Sequence, residues 1–323
     1  MSRVSVIATV LNEEGSIDAL LRSLMAQTRP PDEIVIADGG SHDGTVAAIV
    51  AAQGAGAPIR LIELPGANIS MGRNAAILAA SGDIIACTDA GVRLEPTWLH
   101  EIVAPFCDPG NANVDVVSGF FNPDPRTIFE AAMGATVLPD VSDVDPEKFL
   151  PSSRSVAFRK RAWQSVGGYP EWLDYCEDVV FDLALREAGC RFVFNPSARV
   201  HFRPRGSLRS FFKQYFQYAR GDGKANLWPR RHLIRYGTYL LAPVALSLGL
   251  WYKGLWFMFA IGAAFYLSQP YRRLWPSIKG GPLVGGVAAI MYVPLIRLIG
   301  DVAKMAGYPV GLWWRWVHRS SIR

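Results

Sequence analysis

Polar residues gather at the ends of a few short apolar runs. Thr9, Asn12, Glu13 and Glu14 close or follow the run 4–10, Asp38 follows 33–37, and Asp89 follows 83–88. If these runs are neighbouring parallel strands, their carboxyl ends border one crevice, which is where open α/β sheets take their ligands. Side chains of this kind accept hydrogen bonds from N–H and O–H groups, so the crevice suits a polar ligand.

Asp38 opens the string Asp38-Gly39-Gly40-Ser41-His42-Asp43-Gly44-Thr45. Its glycines let the backbone approach a ligand closely while the carboxylate accepts hydrogen bonds, as a pyrimidine N–H or ribose hydroxyls would require. The same string also reads as a plain strand-to-helix turn with Asp43 near the cap, so its meaning rests on its place among the other residues. A dinucleotide fingerprint is absent, because Gly54-Ala55-Gly56 lacks a third glycine and follows a helical pattern; no Walker A sequence occurs either.

The elements that would position these residues follow from hydrophobic periodicity. Runs 4–10, 33–37, 59–63 and 83–88 are nearly continuous in apolar character, as strands covered on both faces are. Helical patterns separate them. Ile17, Leu20, Leu21 and Leu24 recur at helical spacing behind Gly15 and Ser16, which can cap the helix, and 45–52 and 71–80 read as helices too. The alternation predicts an α/β fold with a mostly parallel sheet flanked by helices. From 94 to 199 the Pro and Asp clusters mark long loops, and a helix is expected over 178–188, ended by Gly189.

Half of the 323 residues are apolar and 19% are charged, but the character changes near residue 235. Between Arg199 and Arg235 there are ten Lys or Arg and one acid, Asp222, interleaved with Phe211, Phe212, Tyr215 and Phe216. This suits an anionic membrane surface, and no nucleic-acid-binding signature accompanies the net charge of +5. Beyond it, 240–250, 255–267 and 283–299 are strongly apolar, which predicts two or three membrane segments with Trp251-Tyr252-Lys253 as a hairpin tip. Arg272, Arg273 and Lys279 favour the cytoplasmic side. The competing reading is a soluble domain of buried core helices. Four cysteines without paired spacing fit a reducing compartment, and the run 4–11 lacks the flanks of a signal peptide.

Taken together, several strings resemble the family 2 glycosyltransferases of the GT-A fold over roughly residues 3–225. They are Val6-Ile7-Ala8-Thr9-Val10-Leu11-Asn12-Glu13-Glu14, Ile36 through Thr45, Gly72-Arg73-Asn74-Ala75-Ala76 ahead of Gly82-Asp83, then Gly167-Gly168-Tyr169 and Cys176-Glu177-Asp178. The resemblance implies an inverting enzyme that takes a sugar from a nucleotide-diphosphate donor. It makes Asp178 the general base, with Glu177 its neighbour, and a carboxylate there can take the proton of the attacking hydroxyl. Thr9 and Asp38 would hold the nucleoside, Asn12 and Glu13 would also bind the donor, Arg73 would approach its phosphates, and Asp89 would hold the diphosphate or metal. The family's divalent cation, Mg²⁺ or Mn²⁺, would rest on Asp89, with His201 as a further candidate ligand, but Gly91 stands where the family usually has a second aspartate. Arg93 is a candidate for the missing positive charge.

In the tail, Gln217-Tyr218-Ala219-Arg220 is followed by Gly221 rather than the tryptophan of processive synthases, so a single-transfer enzyme is expected, with Arg220 touching phosphate or a lipid headgroup. Residues 300–308 resemble succinoglycan glucosyltransferases of bacterial polysaccharide assembly. The expected organisation is a catalytic domain over 1–230, a basic aromatic segment over 199–235 and a membrane anchor over 236–323. The catalytic domain would face the cytoplasm at the inner membrane, acting on a lipid-linked or glycan acceptor among membrane lipids. Against this stand an inactive scaffold, for which Gly91 speaks, and a sugar-nucleotide pyrophosphorylase, which would need a glycine-rich, lysine-containing loop that the N-terminus lacks. A transporter component would need more intramembrane charge than Lys253 and Arg297 supply.

Overall fold

The computed structural model describes residues 3–111, 113–279 and 283–318. The chain divides into two compact units, one of residues 1–122 with 140–202, the other of 123–139 with 203–323.

The first unit begins as βα repeats: β1 (Val4–Val10), α1 (Ile17–Met25), β2 (Glu33–Asp38), α2 (Thr45–Gly54), β3 (Ile59–Glu63), α3 (Ile69–Ala79) and β4 (Ile84–Asp89). It continues through β5 (Val92–Leu94), α4 (Trp98–Cys107), β6 (Val116–Pro123), β7 (Val156–Arg159), α6 (Lys160–Ser165), α7 (Glu177–Glu187) and β8 (Phe192–Phe202), with α5 (Ile128–Val137) between β6 and β7 in the other unit. The eight strands form one mixed sheet in the order β3-β2-β1-β4-β7-β6-β8-β5. Strands β1 to β4 pair in parallel, whereas β7 runs antiparallel to both β4 and β6, and β5 antiparallel to β8.

The register sets the crevice. Val10 lies beside Asp38, and Thr9 lies beside Ala37 on one side and Asp89 on the other, so three adjacent strands end together. Beneath them Ile7, Val35, Ile85, Phe158, Trp163, Tyr169 and Phe181 form one buried cluster, each such side chain contributing roughly 1.5–3 kcal/mol of burial. Helix α1 buries Ile17, Leu20, Leu21 and Leu24 as the periodicity predicts. Ser16 sits at its cap position but makes no capping bond; its hydroxyl donates to the Glu13 carboxylate instead. Helix α3 starts two residues ahead of the expected 71, because Asn68 accepts the Met71 N–H and caps it.

The second unit is helical, with α8 (Leu208–Ala225), α9 (Pro229–Leu248), α10 (Gly254–Ile278) and α11 (Leu283–Val317) joining α5. Its core holds Met133, Phe211, Leu274, Val293 and Ile296. Helices α8 and α11 meet backbone to backbone. A Cβ on Gly307 would stand 2.2 Å from the Phe216 carbonyl oxygen, and one on Gly311 would stand 2.1 Å from that of Arg220. Small residues permit such close contact where helices pack without a hydrophobic drive. Asp301 on α11 accepts from Arg235 Nε at 2.8 Å, from Tyr239 at 3.1 Å and from Tyr266, tying α9 and α10 to α11.

The apolar tail does not behave as a buried core. Leu240, Trp251 and Phe265 are 72%, 73% and 83% exposed within a longer run of uncovered apolar side chains. Among the described residues one helical stretch, Gly285–Val317, is long and apolar enough to cross a membrane by length and composition, where the sequence predicts two or three. Helix α9 begins with Arg230, Arg231 and Arg235 and α10 carries Arg272 and Arg273, which shorten their apolar lengths. Residues 300–308 form part of α11 and not a separate tail.

Candidate active site

Two loops at the ends of β1 and β2 lock together. Asn12, at φ +55°, donates its N–H to Ser41 Oγ at 2.8 Å and accepts the His42 N–H at 2.9 Å, while the Glu13 N–H donates to Thr45 Oγ1 at 2.7 Å. Asp38 is 1% exposed; its Oδ2 accepts the N–H groups of Gly40 and Ser41 at 3.0 and 2.9 Å, and its Oδ1 the Ser41 hydroxyl. The glycine string is thus a turn built by its own aspartate, and Asn12 and Glu13 tie it to the loop that follows β1. Thr9 packs its methyl against Gly72.

The central feature is Arg73 on α3, 2% exposed. Its Nη1 donates to Glu177 Oε1 at 2.5 Å and its Nη2 to Asp89 Oδ1 at 3.0 Å, so one buried guanidinium joins the end of β4 to the start of α7. The next residue, Asn74, clamps the Gly167-Gly168-Tyr169 turn: its Oδ1 accepts the Tyr169 N–H at 2.9 Å and its Nδ2 donates to the Tyr169 carbonyl at 2.9 Å. Gly168 has φ +83°, and a Cβ there would meet Asn74 Oδ1 at 2.8 Å, which explains the glycine. Tyr169 in turn lies under Arg73, 5.3 Å from ring centroid to guanidinium carbon.

Helix α7 starts from Cys176 in the left-handed region, φ +63°, a conformation costing a side chain about 1–2 kcal/mol. Glu177 and Asp178 occupy its first turn, where negative charge is favoured. Burial, reinforced by Asp178 and opposed by Arg73, raises the Glu177 carboxyl above its ordinary range. Glu177 is buried and its Oε1 is held by Arg73. Asp178 is half-buried, and among the described residues its one hydrogen bond is with the Val179 N–H, at 2.9 Å. One turn further, Asp182 is 3% exposed with Oδ2 lacking any hydrogen-bond partner, and burial followed by repulsion from Asp178 drives its carboxyl well above the ordinary range.

Arg154 was not among the expected residues. Continuing the antiparallel register of Cys87 with Val156 sets it across from Asp89, and its Nε lies 3.8 Å from Asp89 Oδ2. Its guanidinium stacks on Phe202 at 4.3 Å and donates to Ser152 at 3.1 Å. The pairing of β7 with β4 is what brings it here, and a strand order that the sequence does not state was needed to see it. Asp182 had a signal, its spacing of four from Asp178. His201 bonds Glu95 Oε1 through its ring Nε2 at 3.0 Å. Arg93 is exposed on β5, opposite His201 in the register. Arg220 belongs to the helical unit, on α8.

The residues do not fit a cation held by the chain. Gly91 contributes no ligand, Asp89 faces a guanidinium at each oxygen, and no group of three or more His, Cys, Asp or Glu able to hold a metal occurs among the described residues. A hard dication on Asp89 would stand against two positive charges.

With strands β1, β2 and β4 ending at one crevice and an acid pair opening α7, the comparisons complete the assignment. The profile of Glycosyl transferase family group 2 matches residues 84–319, and that of Glycosyl transferase family 2 matches 5–162. The chain belongs to the family 2 glycosyltransferases. It is 25% identical over 317 residues to the succinoglycan biosynthesis protein ExoA of Rhizobium meliloti (strain 1021), covering 89% of this chain and 91% of that protein. It is 28% identical over 263 residues, 76% of this chain, to the pre-mycofactocin glycosyltransferase of Mycobacterium tuberculosis (strain CDC 1551 / Oshkosh), of which the match spans 53%. The fold matches the mannosyltransferase PcManGT from Pyrobaculum calidifontis in complex with GDP-Man and Mn²⁺, with a TM-score of 0.60, 20% identity and coverage of 97% and 87% of the two chains.

Proposed function

We propose that this glycosyltransferase moves one sugar from a nucleoside-diphosphate donor to an acceptor held at a membrane, inverting the anomeric centre, in the assembly of a cell-surface polysaccharide or glycolipid. The observation that carries the reading is the half-buried Asp178 carboxylate at the start of α7, next to the Glu177–Arg73–Asp89 bridge to the sheet ends. In this reading Thr9 and the Asp38 turn receive the nucleoside, and Arg73 and Asp89 lie at the diphosphate. The acceptor oxygen bonds the anomeric carbon as the bond to the diphosphate oxygen breaks, and Asp178 takes the hydroxyl proton. No covalent enzyme intermediate is needed, so positioning supplies much of the rate.

Support for the biological setting comes from the relative named for succinoglycan biosynthesis and from the exposed apolar helices. Helix α11 would span the inner membrane with α9 and α10 entering it beside α11, and the basic residues of α8, Arg220 among them, would face the anionic cytoplasmic headgroups where α8 packs along α11. The mannosyltransferase with GDP-Man and Mn²⁺ supports cation use by this fold in general. The test is transfer of labelled sugar from UDP-, GDP- and dTDP-sugars into the lipid fraction of membranes containing the protein. One donor should label that fraction; if none does, and none binds, the reading fails.

A further inference from the structure

The donor site carries an arginine where the fold's metal would work. We propose that Arg154, opposite Asp89 and stacked on Phe202, takes the donor's diphosphate directly, so that this chain binds its nucleotide without a divalent cation. The inference rests on the donor reading above and concerns how that site meets phosphate charge.

Three observations carry it. Gly91 leaves the site with one carboxylate, Asp89, whose side chain is 27% exposed. Both of its oxygens face guanidinium groups, Arg73 Nη2 at 3.0 Å and Arg154 Nε at 3.8 Å. A dication there would displace one of these charges or sit against both. Arg73 is enclosed and committed to Glu177, whereas the Arg154 side chain is 20% exposed at the crevice rim. Its plane is fixed by Phe202 at 4.3 Å and Phe121 at 5.7 Å and by the bond to Ser152. A guanidinium carries its donors in a rigid fork matched to phosphate oxygens, which suits Arg154 to a diphosphate brought to Asp89. Bound this way, the same charge stabilises the diphosphate as it departs. The position is built into the sheet, because Thr88 Oγ1 bonds the Arg154 carbonyl at 3.0 Å.

The test is calorimetric titration of the full-length protein in detergent with UDP, GDP and dTDP, and with the corresponding nucleosides, in EDTA and in Mn²⁺. The account expects the preferred diphosphate to bind with the same affinity, within about threefold, in both. Arg154→Met should weaken the diphosphate at least about tenfold and leave the nucleoside within about twofold, which also shows that the variant is folded. Gly91→Asp, whose Cβ would meet nothing within 4 Å, should gain tightening by Mn²⁺ that the natural chain lacks. A natural chain that tightens about tenfold or more with Mn²⁺, or an Arg154→Met protein with unchanged diphosphate affinity, overturns the inference while leaving the donor reading intact. No binding of any nucleotide in either condition overturns both.

Discussion

Replacing Arg73 by methionine should lower stability more than it lowers packing. Methionine fills much of the same volume, but Glu177, 6% exposed, loses the guanidinium bonded to it at 2.5 Å. Stripping the partner from a buried charge costs about 3–5 kcal/mol. Asp89 adds little, since it is more open and Arg154 remains near it. For a body of this size each kcal/mol moves the midpoint by about 2–4 °C, so a fall of roughly 6–20 °C is expected near pH 8. Burial already raises the Glu177 carboxyl, and losing Arg73 raises it further. A raised carboxyl is stabilising when protonated and loses that stability as pH rises, so the deficit should shrink toward pH 5. Thermal melts of the full-length protein in detergent, followed by tryptophan fluorescence, report this through Trp163 in the same core. Adding Glu177→Gln should recover much of the loss. A fall below about 2 °C, or one independent of pH and untouched by the second change, would refute the ion-pair reasoning.

Asp182 gives a related expectation of its own. Its raised carboxyl is harmless below about pH 4 and increasingly costly as pH rises, so Asp182→Asn should gain melting temperature over the natural chain progressively from pH 4 to 8; a constant difference would contradict this. In the helical unit, Gly311→Ala places a Cβ 2.1 Å from the Arg220 carbonyl oxygen, and a destabilisation of about 1–3 kcal/mol is expected. Denaturant titration in detergent checks it, and an unchanged midpoint would mean that α8 and α11 part easily.

The parallel half of the sheet was legible because continuous apolar strands and helical repeats alternate there: the expected 4–10 and 59–63 coincide with β1 and β3, and 33–37 and 83–88 fall within a residue of β2 and β4. The helix expected at 178–188 is α7, shifted by one residue. The antiparallel half was not legible, since β6, β7 and β8 are separated by long loops and their order depends on contacts far apart in sequence. That order is what delivers Arg154 to Asp89. For Asp38 the sequence located the turn but not the fact that its carboxylate is consumed inside it, because a turn that builds itself and one that binds a ligand use the same residues. Likewise the sequence sets Glu177 beside Asp178 but does not show that Glu177 is buried against Arg73 while Asp178 is half-buried. The tail's apolar character was plain, but how much of it spans depends on where arginines interrupt the helices.

The most direct measurement compares the natural chain with Asp178→Asn for both donor binding and sugar transfer to the membrane lipid fraction, using whichever nucleotide sugar the chain prefers. The account predicts unchanged donor affinity with transfer reduced by about a hundred- to ten-thousand-fold, as loss of a positioned base requires. Transfer retained at close to its natural rate with Asp178→Asn would contradict the central claim and move the base elsewhere in the crevice.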